Sequence, residues 1–222
     1  MSTSEPLPHS QRHYSLAETI ADGVVHGVAI LAGLVAFAVL FFRVGMKGDV
    51  SQAFAMGVYA AGFFVLFGVS CAYNLAPPSR IKWILRRFDH AAIFLMISGT
   101  YTALLSQAPR DAWAWSLALF VWTASLVGAA IAVFLPGRFD RGLLALYLAI
   151  GWAGILSVPH LIECLPAETT VLTIVGGVVY SLGVPFHLWN SLKFQNAIWH
   201  VFVTIAAACQ YVGIAHAIGH GA

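Results

Sequence analysis

Charge is what this chain has least of. Asp, Glu, Lys and Arg make up 9% of its 222 residues, against about 25% in an ordinary soluble domain. So few ionic groups cannot cover a water-soluble fold of this size, so the solvent of this chain must largely be lipid. The net charge of +2 leaves no electrostatic footprint for a nucleic-acid partner. Cysteine is scarce as well. Cys71, Cys164 and Cys209 stand at irregular spacing inside or at the edge of apolar stretches, with no C-x-x-C. Neither a disulfide framework nor a structural zinc knuckle is signalled. Internal repeats, low-complexity tracts and dividing linkers are missing too. Residues 1–14 (MSTSEPLPHSQRHY) have no apolar h-region, so no cleaved signal peptide is read there. They read as a mobile N-terminal tail ahead of a single domain, 15–222.

What is present is apolar: 60% hydrophobic residues and a mean hydropathy of +0.84. At roughly 20 residues per crossing, the length suits about seven helices. An S-x-x-E capping box, Ser15 with Glu18, starts the first. It passes Asp22 and His26 and stays apolar to Phe42, ahead of a loop at Arg43, Lys47, Gly48 and Asp49. The second run, about Gln52 to Ala76, stops at Pro77-Pro78, because proline cannot continue a helix. SRIKWILRRF (79–88) reads as a basic loop, and the third run as Asp89 to about Gln107. The fourth covers about Ala112 to Leu135, and the fifth about Gly142 to Leu165 with a kink at Pro159. The sixth covers about Thr169 to Trp189, and the seventh about Asn196 to Ile218. Small residues at Gly27, Ala29, Gly33, Gly128 and Gly176-Gly177 suit close helix packing.

With the N-terminus in the cytoplasm, eight basic residues fall inside: Arg12, Arg80, Lys82, Arg86, Arg87, Arg138, Arg141 and Lys193. Three fall outside: Arg43, Lys47 and Arg110. The positive-inside rule therefore predicts N-terminus in and C-terminus out, in the cell membrane. In this topology Ser70 and Asn74 near the end of the second helix, Asp89 on the third, and Asn196 with His200 on the seventh reach one depth near the inner leaflet. Both four-residue spacings place their side chains on one helical face. Thr100 lies three turns along from Asp89. Buried polar groups of this kind mark a site or an interhelical contact. Asp89 read without a site is a carboxylate at a helix N-terminus paired with Arg86 or Arg87. His200 read so is a packing histidine, Ser70 is helix-packing glue, and His26 is an interhelical hydrogen-bonding residue. His187 reads as interfacial; His160, His216 and His220 lie toward the outer end.

RRFDHAAIFLMISGTYT (86–102), PGRFDR, GGVVYSLGVPFHLW (176–189), NAIWHVFV (196–203) and the opening YSLAETIADGVVHG (14–27) resemble the signatures of the haemolysin III branch of the progestin and adipoQ receptor family. The resemblance covers nearly the whole chain. It implies an all-α, integral membrane seven-helix bundle with its N-terminus inside. It also implies a zinc site from S-x-x-x-H on the second helix, Asp on the third and H-x-x-x-H on the seventh. In the wider superfamily, which includes alkaline ceramidases, that set is thought to hydrolyse lipid amides, the metal activating a water. Ser70 and Asp89 then stand as the candidate catalytic residues, and Asp89 and His200 as the metal ligands. Asn74 and Asn196 stand where the pattern has histidines, and Gln210 replaces a further one. A carboxamide oxygen is a weak zinc donor, so the site is expected to be weakened or lost; Cys71 or His90 could rebuild it.

Three functions follow as expectations. The first is a role in membrane lipid or energy homeostasis, with membrane lipids as partners and the oligomeric state undetermined. The second is a zinc-dependent lipid amide hydrolase. The third is a pore or proton-coupled transporter. A conducting path needs polar residues along its length, and WTASLVGAAIAVF (122–134) and LALYLAIGWAGIL (144–156) offer few.

Overall fold

A computed structural model describes residues 14–154 and 158–220, the side chains of 158–160 and 220 excepted. Apart from Tyr14, the N-terminal tail lies outside the described residues, as do the side chains of His160 and His220. Among the described residues the fold is helical, without strands: α1 Leu16–Lys47, α2 Val50–Leu75, α3 Arg80–Leu105, α4 Ala112–Phe134, α5 Asp140–Gly151, α6 Val158–Cys164, α7 Ala167–Leu188 and α8 Gln195–His220. Six of these are long and apolar enough to cross a membrane: α1, α2, α3, α4, α7 and α8.

The first helix shows what solvent the fold is built for. Its buried stripe is Glu18, Asp22, His26, Ala29, Gly33, Phe37, Leu40 and Val44. Ile20, Val24, Val28, Leu31, Val35, Val39 and Phe42 lie exposed on the opposite face. Both stripes follow the three-and-four spacing of a helix, yet the acids and the imidazole point inward. That arrangement is favourable in hydrocarbon, where an apolar side chain gains nothing by burial and a polar one must find protein partners.

Caps set the helix starts. Ser15 Oγ accepts from Glu18 N at 3.3 Å and Glu18 Oε2 accepts from Ser15 N at 2.9 Å, so the capping box forms as read. Gly48, at φ 68°, ends α1 five residues beyond the loop start expected at Arg43. Two other expectations are corrected. The basic stretch 79–88 is not a loop. Ser79 caps α3 by accepting from Lys82 N at 3.2 Å, and the Lys and Arg residues that follow are good helix formers. Lys82 Nζ reaches back to Ala76 O at 2.9 Å and to Asn74 O at 3.4 Å, satisfying the last carbonyls of α2. The fifth apolar run is not one continuous helix. It divides into α5 and α6, with 155–157 outside the described residues and Pro159 in the first turn of α6, where its missing N–H costs least.

Glycine sets two of the closest approaches. A Cβ on Gly33 would lie 2.3 Å from the Phe63 ring, and one on Gly128 would lie 2.1 Å from the Phe94 ring. A Cβ on Gly27 would meet nothing within 4 Å, so a side chain there has room. One buried cluster joins α1, α2, α3 and α8 through residues such as Phe37, Tyr59, Phe67, Met96 and Ile214. A second joins α3, α4 and α5 through Phe94, Val121, Ala132, Leu143 and Ile150.

Candidate functional site

Glu18 fixes how the first helix meets the last. Its Oε2 serves the capping box, and its Oε1 accepts from the backbone N of Phe194 at 3.0 Å. Phe194 sits at φ 59°, a left-handed turn just before α8. Gln195 continues the lock, donating to His187 O at 2.5 Å and accepting from Tyr14 OH at 3.3 Å. One turn inward from Glu18 comes Asp22, and one further turn brings His26; both face α8.

There a continuous polar network forms. His200 Nδ1 meets Asp22 Oδ1 at 2.6 Å, and His200 Nε2 meets Ser70 Oγ at 3.3 Å. Asn74 Nδ2 donates to Ser70 O at 2.9 Å and to Ser70 Oγ at 3.3 Å. Asn196 Nδ2 donates to Asn74 Oδ1 at 2.7 Å. His26 Nδ1 lies 2.9 Å from the carbonyl of Asp22, and its ring stands 4.3 Å from that of His200. Asp22, His26, Ser70 and His200 are all buried. Such groups are costly in a membrane interior unless paired or functional.

His26, Ser70, Asn74, Asn196 and His200 of the network line a cavity of about 1210 Å³, whose walls come mainly from α1, α2, α3, α5, α7 and α8. Ile97, Leu148, Ile174 and Val184 line its apolar length. The volume exceeds the roughly 300–1,000 Å³ of pockets for drug-sized ligands.

Of the residues singled out in the sequence, Ser70, Asn74, Asp89, Thr100, Asn196 and His200 all line this cavity. Ser70 and His200 are bonded to each other, while Asp89 is half-buried on the α3 wall. The reading of Asp89 at a helix N-terminus is corrected, because α3 begins at Arg80. Its expected partners are engaged elsewhere: Arg86 pairs with Asp140, and the Arg87 guanidinium lies 3.4 Å over the Trp83 ring. His90 lines the cavity and its carbonyl accepts from Tyr147 OH at 3.1 Å. His187 lines it too, with its ring 5.0 Å from that of Trp199. Gln210 ties α8 to α7, donating to Thr173 O at 3.0 Å. Cys71 is half-buried on α2 and outside the cavity wall.

Asp22 and His26 were not among the site candidates, although their four-residue spacing on an otherwise apolar run is visible. With His200 they form a group in which one donor atom from each residue lies within 4.8 Å of the others. The positions where the resemblance implies zinc-binding histidines do not fit a zinc ion. Their two carboxamides bond to each other, and Asn74 spends its amide N–H groups on Ser70. One imidazole and a carboxylate on α3 leave too few good donors there.

Six crossing-length apolar helices around a buried carboxylate–imidazole–hydroxyl network define a multi-pass helical membrane protein. Residues 14–211 match the haemolysin-III related family, and the chain belongs to it. It is 31% identical over 194 residues to Hemolysin-3 of Bacillus cereus, spanning 87% of this chain and 89% of that protein. It is 28% identical over 198 residues to the Hemolysin-3 homolog of Bacillus subtilis (strain 168), spanning 89% and 93%. Monocyte to macrophage differentiation factor of Homo sapiens is 26% identical over 204 residues, spanning 89% of this chain and 83% of that protein.

Proposed function

We propose that this is a seven-span protein of the cell membrane, N-terminus inside, that holds a membrane lipid in its bundle cavity and serves membrane lipid or energy homeostasis. In this reading α5 and α6 together make the interrupted fifth crossing, and the distribution of basic residues sets the orientation. The zinc site implied by the family resemblance has been lost at its usual positions, replaced by the hydrogen-bonded Asn74–Asn196 pair. The carrying observation is the cavity, lined by apolar side chains such as Ile97, Leu148, Ile174 and Val184 together with hydrogen-bonding groups that include Ser70 and His200, a combination that suits an acyl chain with a polar head group. Ser70 and Asn196 would contact the head group and Asp89 would face it from α3.

The test is photo-crosslinking of a diazirine-bearing fatty acid or ceramide to the purified protein, with the labelled peptides mapped. Labelling should fall on α3, α5 and α7, and Leu148→Trp with Ile174→Trp should lower it at least fivefold. Labelling confined to the outer lipid-facing surface would reject the reading. A second reading, hydrolysis of a lipid amide, is favoured by the presence of Ser70, Asp89 and His200 in the lining of one cavity. Release of fatty acid from a ceramide, lost in Ser70→Ala and Asp89→Ala, separates it from simple binding.

A further inference from the structure

We propose that Asp22, His26 and His200 form a divalent-cation site, suited to zinc, that clamps α1 to α8. Of these three, His200 alone belongs to the set implied by the family resemblance; the other two donors come from the first helix. The proposal does not depend on the lipid reading.

Four observations carry it. One donor atom from each residue lies within 4.8 Å of the others, so side-chain adjustments of about an ångström bring them to the spacing of a zinc shell. The residues are 2%, 0% and 8% exposed, respectively. Asp22 Oδ2 and His26 Nε2 are buried and have no hydrogen-bond partner among the described residues. Asp22 Oδ2 lies 3.6 Å from His26 Nδ1, beyond hydrogen-bond distance; native interiors rarely leave such buried atoms without a hydrogen bond, and an ion is one of the standard explanations. The fourth observation is the support around the donors. His26 Nδ1, set against the Asp22 carbonyl at 2.9 Å, donates its proton there and leaves a lone pair on Nε2. Backbone-carbonyl orientation of this kind is what metal-binding histidines ordinarily have. His200 is held in turn by Ser70, and Ser70 by Asn74.

The donor set selects the metal. Two imidazoles and one carboxylate suit zinc, whereas calcium and magnesium favour shells made of oxygen. An ion here would join helices whose ligands are 178 positions apart in sequence.

The experiment uses the full chain, purified in detergent through a tag that binds no metal, equilibrated with zinc and then freed of loose ions. Elemental analysis should find close to one zinc per chain. His26→Gln and Asp22→Asn should each lower the affinity at least tenfold, while Asp89→Asn retains it. X-ray absorption of the wild-type protein needs no variant to fold. It should show imidazole-containing nitrogen and oxygen scattering at about 2.0–2.1 Å. Zinc at background in the wild-type protein overturns the proposal. So does zinc that survives both α1 substitutions and vanishes with Asp89→Asn. A sulfur shell at about 2.3 Å would move the site to a cysteine and overturn it as well.

Discussion

The two sides of this bundle differ in the polar groups they bury. Where α3, α4 and α5 meet, the interior is Phe94, Val121, Ala132, Leu143 and Ile150, and the buried polar groups on α3 and α4 are small hydroxyls, Ser98 and Ser125. Where α1, α2 and α8 meet, the interior holds Glu18, Asp22, His26, Ser70, Gln195 and His200. In lipid, burying more apolar surface brings little, so the first side is held mainly by close fit, and the second adds directed polar contacts to its own close packing around Phe37, Tyr59 and Phe67. Steric fit can be disturbed without touching the chemistry. The polar side cannot, because the groups that hold α1 to α8 are the groups that form the site.

Substitutions on each side should separate these roles, the largest effect first. Asp22→Leu removes the partner of His200 and leaves a buried imidazole without its acceptor; a loss of about 3 kcal/mol is expected, read by thermal unfolding in detergent. The same variant should lose any bound zinc. Gly128→Leu forces a side chain into the Phe94 ring and should cost about 2 kcal/mol by overpacking. Zinc content and lipid labelling should be unchanged in the fraction that folds. A third substitution set tests the polar side against itself. In an Asp22→Asn, His26→Gln background, adding Asn74→His and Asn196→His should restore zinc affinity at least tenfold, measured by competition with a fluorescent chelator. No gain would show that α2 and α8 do not converge as described. The smallest effect is expected from Lys82→Ala, which uncaps the carbonyls at the end of α2 and should cost about 0.5 kcal/mol, visible as faster amide exchange at residues 72–76.

Much of this comparison was legible in the residues. The capping box at Ser15, the stop at Pro77-Pro78 and the spans of α2, α4, α7 and α8 follow from local chemistry that tertiary packing does not override. The basic stretch before Asp89 misled because its charge reads as a loop. Its helix rests on the Ser79 cap and on the helix propensity of Lys and Arg, local signals that the charge masks, and the Arg86–Asp140 pair adds a contact from farther along the chain. The interruption of the fifth run likewise has a proline and glycines as its only local mark. For the site, Ser70 and His200 were readable from spacing, and the structure bonds them. Asp22 and His26 were equally visible as a polar pair. Their meaning depends on which stripe of α1 turns toward α8, and that is set by Glu18 holding the Phe194 turn.

That hold has a bearing on how the protein is made. The first helix is made with a carboxylate and an imidazole that both meet His200, on α8, 178 and 174 positions later in the chain. Until α8 arrives, Asp22 and His26 have only each other within α1, through His26 Nδ1 against the Asp22 carbonyl at 2.9 Å and its carboxylate at 3.6 Å. The α1–α8 contact therefore forms only after α8 has been made, and a chain interrupted before α8 lacks the His200 partner of Asp22.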